Sequence, residues 1–454
     1  MAAKTLANPP RFSNEMLRRL LIPLVLEQLL LVTVGMADSV MVSSVGEAAV
    51  SGVSLVDQMN LLLIQVFAAL ATGGAVVTSQ YLGRRERENA SASAKQLIYL
   101  VTLLSVVIAV VVVCLNRHIL QLVFGHTDPA VMQSAETYFW LSALSYPFIA
   151  IYNAGAALFR SMGNSRISLF ASVVMNVINI GGNAILIYGF HMGVAGAAIA
   201  SLFSRMAAAL IVLLLLRNPQ NPICLAGLLR FRWVGSIQRS ILRVGVPSGI
   251  ENGMFQIGKL LVASLIASMG LVAMTANAVC NNVAALANVP GSAVGLAMIT
   301  IIGQCIGARD YPQARYYTRK LMLIAYAGVG TISAVLFFAA PALANVYHLS
   351  AATTQLSVFA LRYSCICTML IWPMSFVLPN ALRAAGDAKF TMVVSMGSMW
   401  IFRVAMSYVL GAWLGWGFFG VWVAMTIDWV VRTLFFVPRI LSDKWEKKRV
   451  IDDA

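Results

Sequence analysis

Long apolar runs, broken by short polar or basic connections, fill most of this chain. A helix needs about twenty apolar residues to cross a bilayer. Twelve runs reach that length, at 15–41, 49–80, 92–115, 131–159, 166–190, 193–216, 240–268, 273–304, 314–340, 352–383, 388–413 and 417–440. Several exceed it, so tilt or extension beyond the hydrocarbon is expected. The pattern predicts an all-α integral membrane protein with twelve transmembrane helices.

The connections carry a second pattern. The stretches 82–95, 160–166, 217–243, 308–320 and 383–389, with both termini, hold 26 of the 32 Lys and Arg. The opposite connections hold only Arg117, and the remaining five lie within runs. Basic residues favour the cytoplasmic side, so both termini are expected there. The same alternation supports the segment count, because one missed helix would scramble it.

The chain also repeats itself. At a shift of 224, Pro23 meets Pro247, Glu27 meets Glu251, Gly46 meets Gly270, Gln80 meets Gln304 and Arg85 meets Arg309. At a shift of 223, the loop Arg160–Arg166 meets Arg383–Lys389; Gly193 and Gly196 then meet Gly417 and Gly420 at 224. Scattered alanines could match through composition, but Pro, Glu, Gln, Gly and Arg in register could not. Six helices per half make the repeats parallel, related by an axis along the membrane normal. Transporters built this way hold substrate between their repeats and rock one against the other. The expected lobes are 1–216 and 240–454, joined by a cytoplasmic linker at 217–239 that contains Pro219 and Pro222.

Composition agrees with lipid as the main solvent. The chain of 454 residues is 60% hydrophobic and 11% charged, where soluble domains carry roughly 25% charge. A net charge of +15 reads as loop bias and not as a nucleic-acid surface, since no basic run is interleaved with aromatics. Six cysteines and four histidines show no zinc spacing. The first apolar run is too long for a cleavable signal. There is no phosphate-binding Gly-Lys-Ser/Thr loop, so neither an enzyme nor an ATP-driven pump is expected, and no cofactor.

An ionisable group at a helix centre costs roughly 3 kcal/mol or more and is a functional hypothesis by default. The runs contain Glu27, Asp38, Asp57, Glu251 and Asp428. Glu27 and Asp38 are eleven residues apart, three helical turns, so they share a face at roughly 16 Å separation. Glu27 and Glu251 are mates in the repeat and are expected to face a central cleft, with Asp57 a further substrate candidate. Asp38 has Val262 as its mate and Asp57 has Asn281, so ion coupling is expected in the first lobe. Asn176, Asn179 and Asn183 line one face of helix five; their mates are Met399, Phe402 and Met406. That face serves either as interhelical glue or as an ion or substrate contact. Pro23 removes a backbone hydrogen bond beside Glu27 and permits a bend. Lys259 is expected to neutralise a neighbouring carboxylate, and Asp428 to pair with Arg432 one turn on.

These residues allow a resemblance to be stated. Val34-Gly35-Met36-Ala37-Asp38-Ser39, the paired Arg-x-x-Gly-Asn/Asp loops at Arg160 and Arg383, and the six-plus-six repeat are similar to those of multidrug and toxic compound extrusion (MATE) transporters, bacterial branch. The resemblance covers nearly the whole chain. It implies a V-shaped twelve-helix fold with a central cleft, in the bacterial inner membrane. It also implies efflux of organic, often cationic or amphiphilic, compounds against inward flow of protons or sodium. Asp38 matches the family's helix-one aspartate, Pro23 its helix-one proline and Asn179 a helix-five asparagine of its cation site. Asn183 stands where many members keep an aspartate. The acid that other branches place in helix ten is missing from 371–380, which leaves a sodium ion at Asp38 as the metal site to consider. Lipid and small organic molecules are the expected partners, and a monomer the expected state. The rival reading is a lipid-linked precursor flippase of the same superfamily, which would show a basic cleft and often fourteen helices.

Overall fold

A computed structural model describes residues 10–125, 128–228, 230, 232–346, 350–446, 448 and 450–451; the side chains of 36–40 and 43 lie outside that description, Asp38 among them. Among the described residues the chain forms twelve helical spans. They are α1 (Asn14–Ser43), α2 (Glu47–Gly83), α3 (Arg87–Phe124), α4 (Pro129–Leu144 and Tyr146–Ser161), α5 (Ser165–Gly189) and α6 (Gly193–Leu216). Then follow α7 (Gly235–Ser268), α8 (Leu271–Gly307), α9 (Tyr311–Val346), α10 (Ala351–Leu370 and Pro373–Ala385), α11 (Ala388–Trp413) and α12 (Gly417–Leu441). Eight are unbroken, long and apolar enough to cross a membrane, and the bent pairs α4 (48°) and α10 (59°) bring the number to ten. The other two, α1 and α7, carry Glu27 and Glu251 near their middles. Pro23 and Pro247 lie inside these two helices, each one turn before the glutamate.

The sequence repeat is also written in the backbone. Gly46 and Gly270 both have positive φ, as do Gly163 and Gly386, and Gly193 and Gly417. Left-handed backbone is rare without glycine, yet the matched pair Arg85 and Arg309 adopts it too, at φ 66° and 59°. Both halves therefore turn the chain out of their second helix in the same way.

A local irregularity separates the halves. The π-helical stretch Ala184–Gly189 closing α5 has its mate in Tyr408–Trp413 closing α11. Helix α11 carries a second one, Met399–Ala405, where α5 is regular α-helix. The repeat shift passes from 223 before this stretch to 224 after it. Helix α11 thus contains one residue more than α5, and a π-turn, with its i→i+5 bonds, absorbs it.

The chain divides into two compact units, cut differently from the expected lobes. One comprises Arg18–Gly249; the other comprises Met1–Leu17 with Ile250–Ala454. The described residues of 217–239, expected to be a linker between lobes, lie in the first unit. There Tyr99 donates to the Leu228 carbonyl (2.7 Å) and Gln96 to that of Arg232 (2.6 Å). Gln238 then donates to Gln96 Oε1 at 2.9 Å, fixing the start of α7 to α3. In the other unit the N-terminal segment is tied to α9. The Phe12 N–H donates to Tyr317 Oη (2.9 Å), whose hydroxyl donates back to the Phe12 carbonyl (2.8 Å), and Lys320 donates to Asn14 (2.6 Å). These attachments obey the repeat: Asn14 is the mate of Gln238 and Lys320 the mate of Gln96.

The start of α7 packs flush on α2. A Cβ at Gly73 would lie 2.5 Å from the Ile241 carbonyl oxygen and 2.8 Å from the Gly245 nitrogen. Backbone cannot yield as a side chain can. Gly73→Ala is expected to destabilise by about 1–3 kcal/mol, read as a lower unfolding temperature of the detergent-solubilised protein. Gly181→Ala, with nothing within 4 Å of the added carbon, should match wild type; equal behaviour of the two would refute the packing argument.

Candidate functional site

The asparagine face of α5 turns inward within the Arg18–Gly249 unit. Asn176, Asn179 and Asn183 are all buried. Asn179 Nδ2 donates to Ser201 Oγ on α6 at 3.1 Å, and Asn183 Nδ2 lies 3.5 Å from Asn179 Oδ1. Asn176 Nδ2 is buried without a hydrogen-bond partner among the described residues. Amide oxygens and a hydroxyl on facing helices are the donor set of a hard, oxygen-seeking cation. Ser201 escaped the sequence reading. Its signal was a hydroxyl directly after the alanine-rich stretch 194–200, opposite the asparagines. Asp38 is the acid expected to complete the set; it belongs to α1, and its side chain lies outside the described residues.

Glu27 and Glu251 are buried, but neither stands as a bare acid. Arg160 NH1 lies 3.2 Å from Glu27 Oε1, and Ser168 Oγ donates to Oε2 at 2.8 Å. Its mate repeats the pairing: Arg383 NH2 meets Glu251 Oε1 at 2.6 Å, with Asn380 holding the guanidinium at 2.9 Å. The expected acidic pair therefore becomes two ion pairs. Both arginines were counted as loop residues, yet they end α4 and α10 close enough to reach the buried carboxylates. The repeat held the clue, because acid and base recur together at shifts of 224 and 223.

Asp57 on α2 joins a polar cluster within the same unit as Glu27. Its carboxylate is hydrogen-bonded to Tyr138 and Asn60, with Arg205 as counter-charge. Tyr146 donates to Asn60 Oδ1 at 2.7 Å, and Arg205 donates to Ser145 Oγ at 2.7 Å. These partners were not anticipated. In the other unit, Asp428 pairs with Arg432 at 2.9 Å as the spacing predicted. Lys259 breaks its expectation: no carboxylate neutralises it among the described residues, and the charge beside it is that of Arg403.

Comparison with known proteins accounts for this doubled arrangement. The sequence model of the MatE family matches twice, over residues 23–185 and 247–409. Both ends of the second match lie 224 residues from those of the first, which is the repeat register itself. The chain belongs to the MatE family. This MatE chain is 28% identical over 437 residues to an uncharacterized transporter, YisQ, of Bacillus subtilis, covering 94% of each. It is 24% identical to a probable multidrug resistance protein, NorM, of Thermotoga maritima, covering 97% of this chain and 95% of that one. Among solved structures, a MATE crystal structure in the bent conformation superposes with a TM-score of 0.87 at 21% identity, covering 98% of each chain. The shared fold is thus two repeated helical lobes, and this MatE protein is an integral membrane protein.

Proposed function

We propose that this MatE protein is a secondary active exporter. In this reading it is an antiporter that moves organic, cationic or amphiphilic compounds outward in exchange for H⁺ or Na⁺, by alternating access. It acts as a monomer in the bacterial inner membrane with both termini cytoplasmic, and needs no cofactor beyond its coupling ion. The observation that carries this reading is the oxygen set of buried Asn179 and Asn183 with half-buried Ser201 within one unit. Asn179 has Phe402 as its mate and Ser201 has Met425, so only one half can bind an ion this way.

The carboxylate of Asp38 would supply the charge that a cation or proton needs in a low-dielectric setting. Binding that ion favours one state of the lobe, and its release favours the other. The names of the NorM relatives support export of several compounds. The test is dye efflux from energised vesicles under separately imposed proton and sodium gradients. Efflux driven by one gradient is expected, and that gradient names the coupling ion; efflux indifferent to both overturns the antiport reading.

A further inference from the structure

Positive charge is left over in the unit that holds Ile250–Ala454. Its described residues include Lys259, Arg383, Arg403, Arg432 and Arg439 against three buried acids, Glu251, Asp387 and Asp428, of which Asp387 is taken by Arg439 at 2.7 Å. Arg383 takes Glu251. Asp428 Oδ1 is taken by Arg432 Nε at 2.9 Å and Ser398 Oγ at 2.6 Å. Arg403 NH1 stands 3.7 Å from Asp428 Oδ2, beyond hydrogen-bond reach. Among the described residues its guanidinium donates no hydrogen bond, and Lys259 forms neither a hydrogen bond nor an ion pair.

The two bases are brought together by the extra residue of α11. Gly258 lets α7 lie against the π-turn: a Cβ there would come 2.5 Å from Met399 Cε and 3.4 Å from Val404 Cγ2. Phe255 and Lys259 share a face of α7, one turn apart. The Arg403 guanidinium lies 5.4 Å from the Phe255 ring centroid, which places it beside Lys259. Phe255 and Phe376 also flank Arg432, at 5.5 and 5.1 Å. Trp400, within the π-turn, has a buried Nε1–H with no acceptor among the described residues. In the first half Lys259 corresponds to Gly35 and Arg403 to Ile180. The repeat alone therefore does not require either charge.

Two adjacent cations at membrane depth repel each other and are costly to desolvate. An ammonium and a planar fork of unfilled donors match a carboxylate or phosphate, and the phenylalanine rings match an aromatic body. We propose that Lys259 and Arg403 form an anion subsite that takes the carboxylate or phosphate group of an aromatic or amphiphilic compound. Its assignment to cargo rests on the exporter reading above. It extends the transported class from cations to compounds that carry an acidic group, zwitterions included.

The test is a calorimetric titration of the full-length, detergent-purified protein with 1-naphthylacetate, its methyl ester and dioctanoyl phosphatidate. Lys259→Met is expected to weaken 1-naphthylacetate binding by about tenfold or more. Lys259→Arg should retain the affinity, and the ester should bind both variants alike. If phosphatidate alone depends on Lys259, the subsite stands with a lipid headgroup as its occupant. If neither anion loses affinity in a Lys259→Met protein that unfolds like wild type, the subsite is overturned. No ion gradient is involved, so a failure of coupled efflux and a failure of anion binding remain distinguishable.

Discussion

Asp38→Asn is expected to yield a protein that inserts in normal amounts and exports nothing above background. Asparagine keeps the size of the side chain and its place on α1 but cannot take up and release a proton, nor supply negative charge to a cation. The buried acid Glu27 of that helix cannot replace it, because it is already held by Arg160 and Ser168. Nor is an acid needed there to build the fold, since the mate of Asp38 is Val262. The measurement is efflux of a fluorescent cation from cells, normalised to membrane-inserted protein. Wild-type rates in this variant would remove Asp38 from the coupling role.

Arg160→Met should do different damage. Glu27 is 4% exposed, and removing its base strands a carboxylate in apolar surroundings. Breaking one side of such a pair costs about 3–5 kcal/mol, whereas removing both sides is often close to neutral. The single variant is expected to unfold well below wild type, and Glu27→Gln with Arg160→Met to recover most of the loss. The equivalent change in the second half, Arg383→Met, should be the more severe. There Thr391 stands at the position of Ser168 and donates to the Ala388 carbonyl instead of to Glu251. Thermal unfolding in detergent measures all four proteins. An Arg160→Met chain as stable as wild type would show that the fold does not depend on the Glu27–Arg160 ion pair.

Helix number and position were legible because hydrophobic run length and loop charge depend on lipid, which acts on every residue alike. The repeat was legible because glycines with positive φ, such as Gly46 and Gly270, tolerate few substitutes. Pairing was harder to read. A sequence shows that Glu27 and Arg160 recur in both halves, but not that the end of α4 comes close to the middle of α1. Lys259 misled for a related reason: an intramembrane base invites a carboxylate partner, yet the extra residue in α11 sets an arginine beside it. Ser201 was hidden because a single hydroxyl among alanines is ordinary in membrane helices, until its partner on the facing helix is known.

The segments that open the two halves have a consequence for ancestry and for cutting the chain. Residues before Arg18 belong to the unit built mainly from the second half, and Gly235–Gly249 to the unit built from the first. Each repeat lends its opening turns to its twin, at matched positions and on matched helices. A lone six-helix ancestor would have left its partner site on α3 unfilled and its own first turns undocked, and two copies would have exchanged them. In the present chain each compact unit accordingly contains the opening turns of the other repeat. Cutting between residues 217 and 234 leaves two fragments that each hold a piece the other needs, so they should regain function when produced together and not when produced apart.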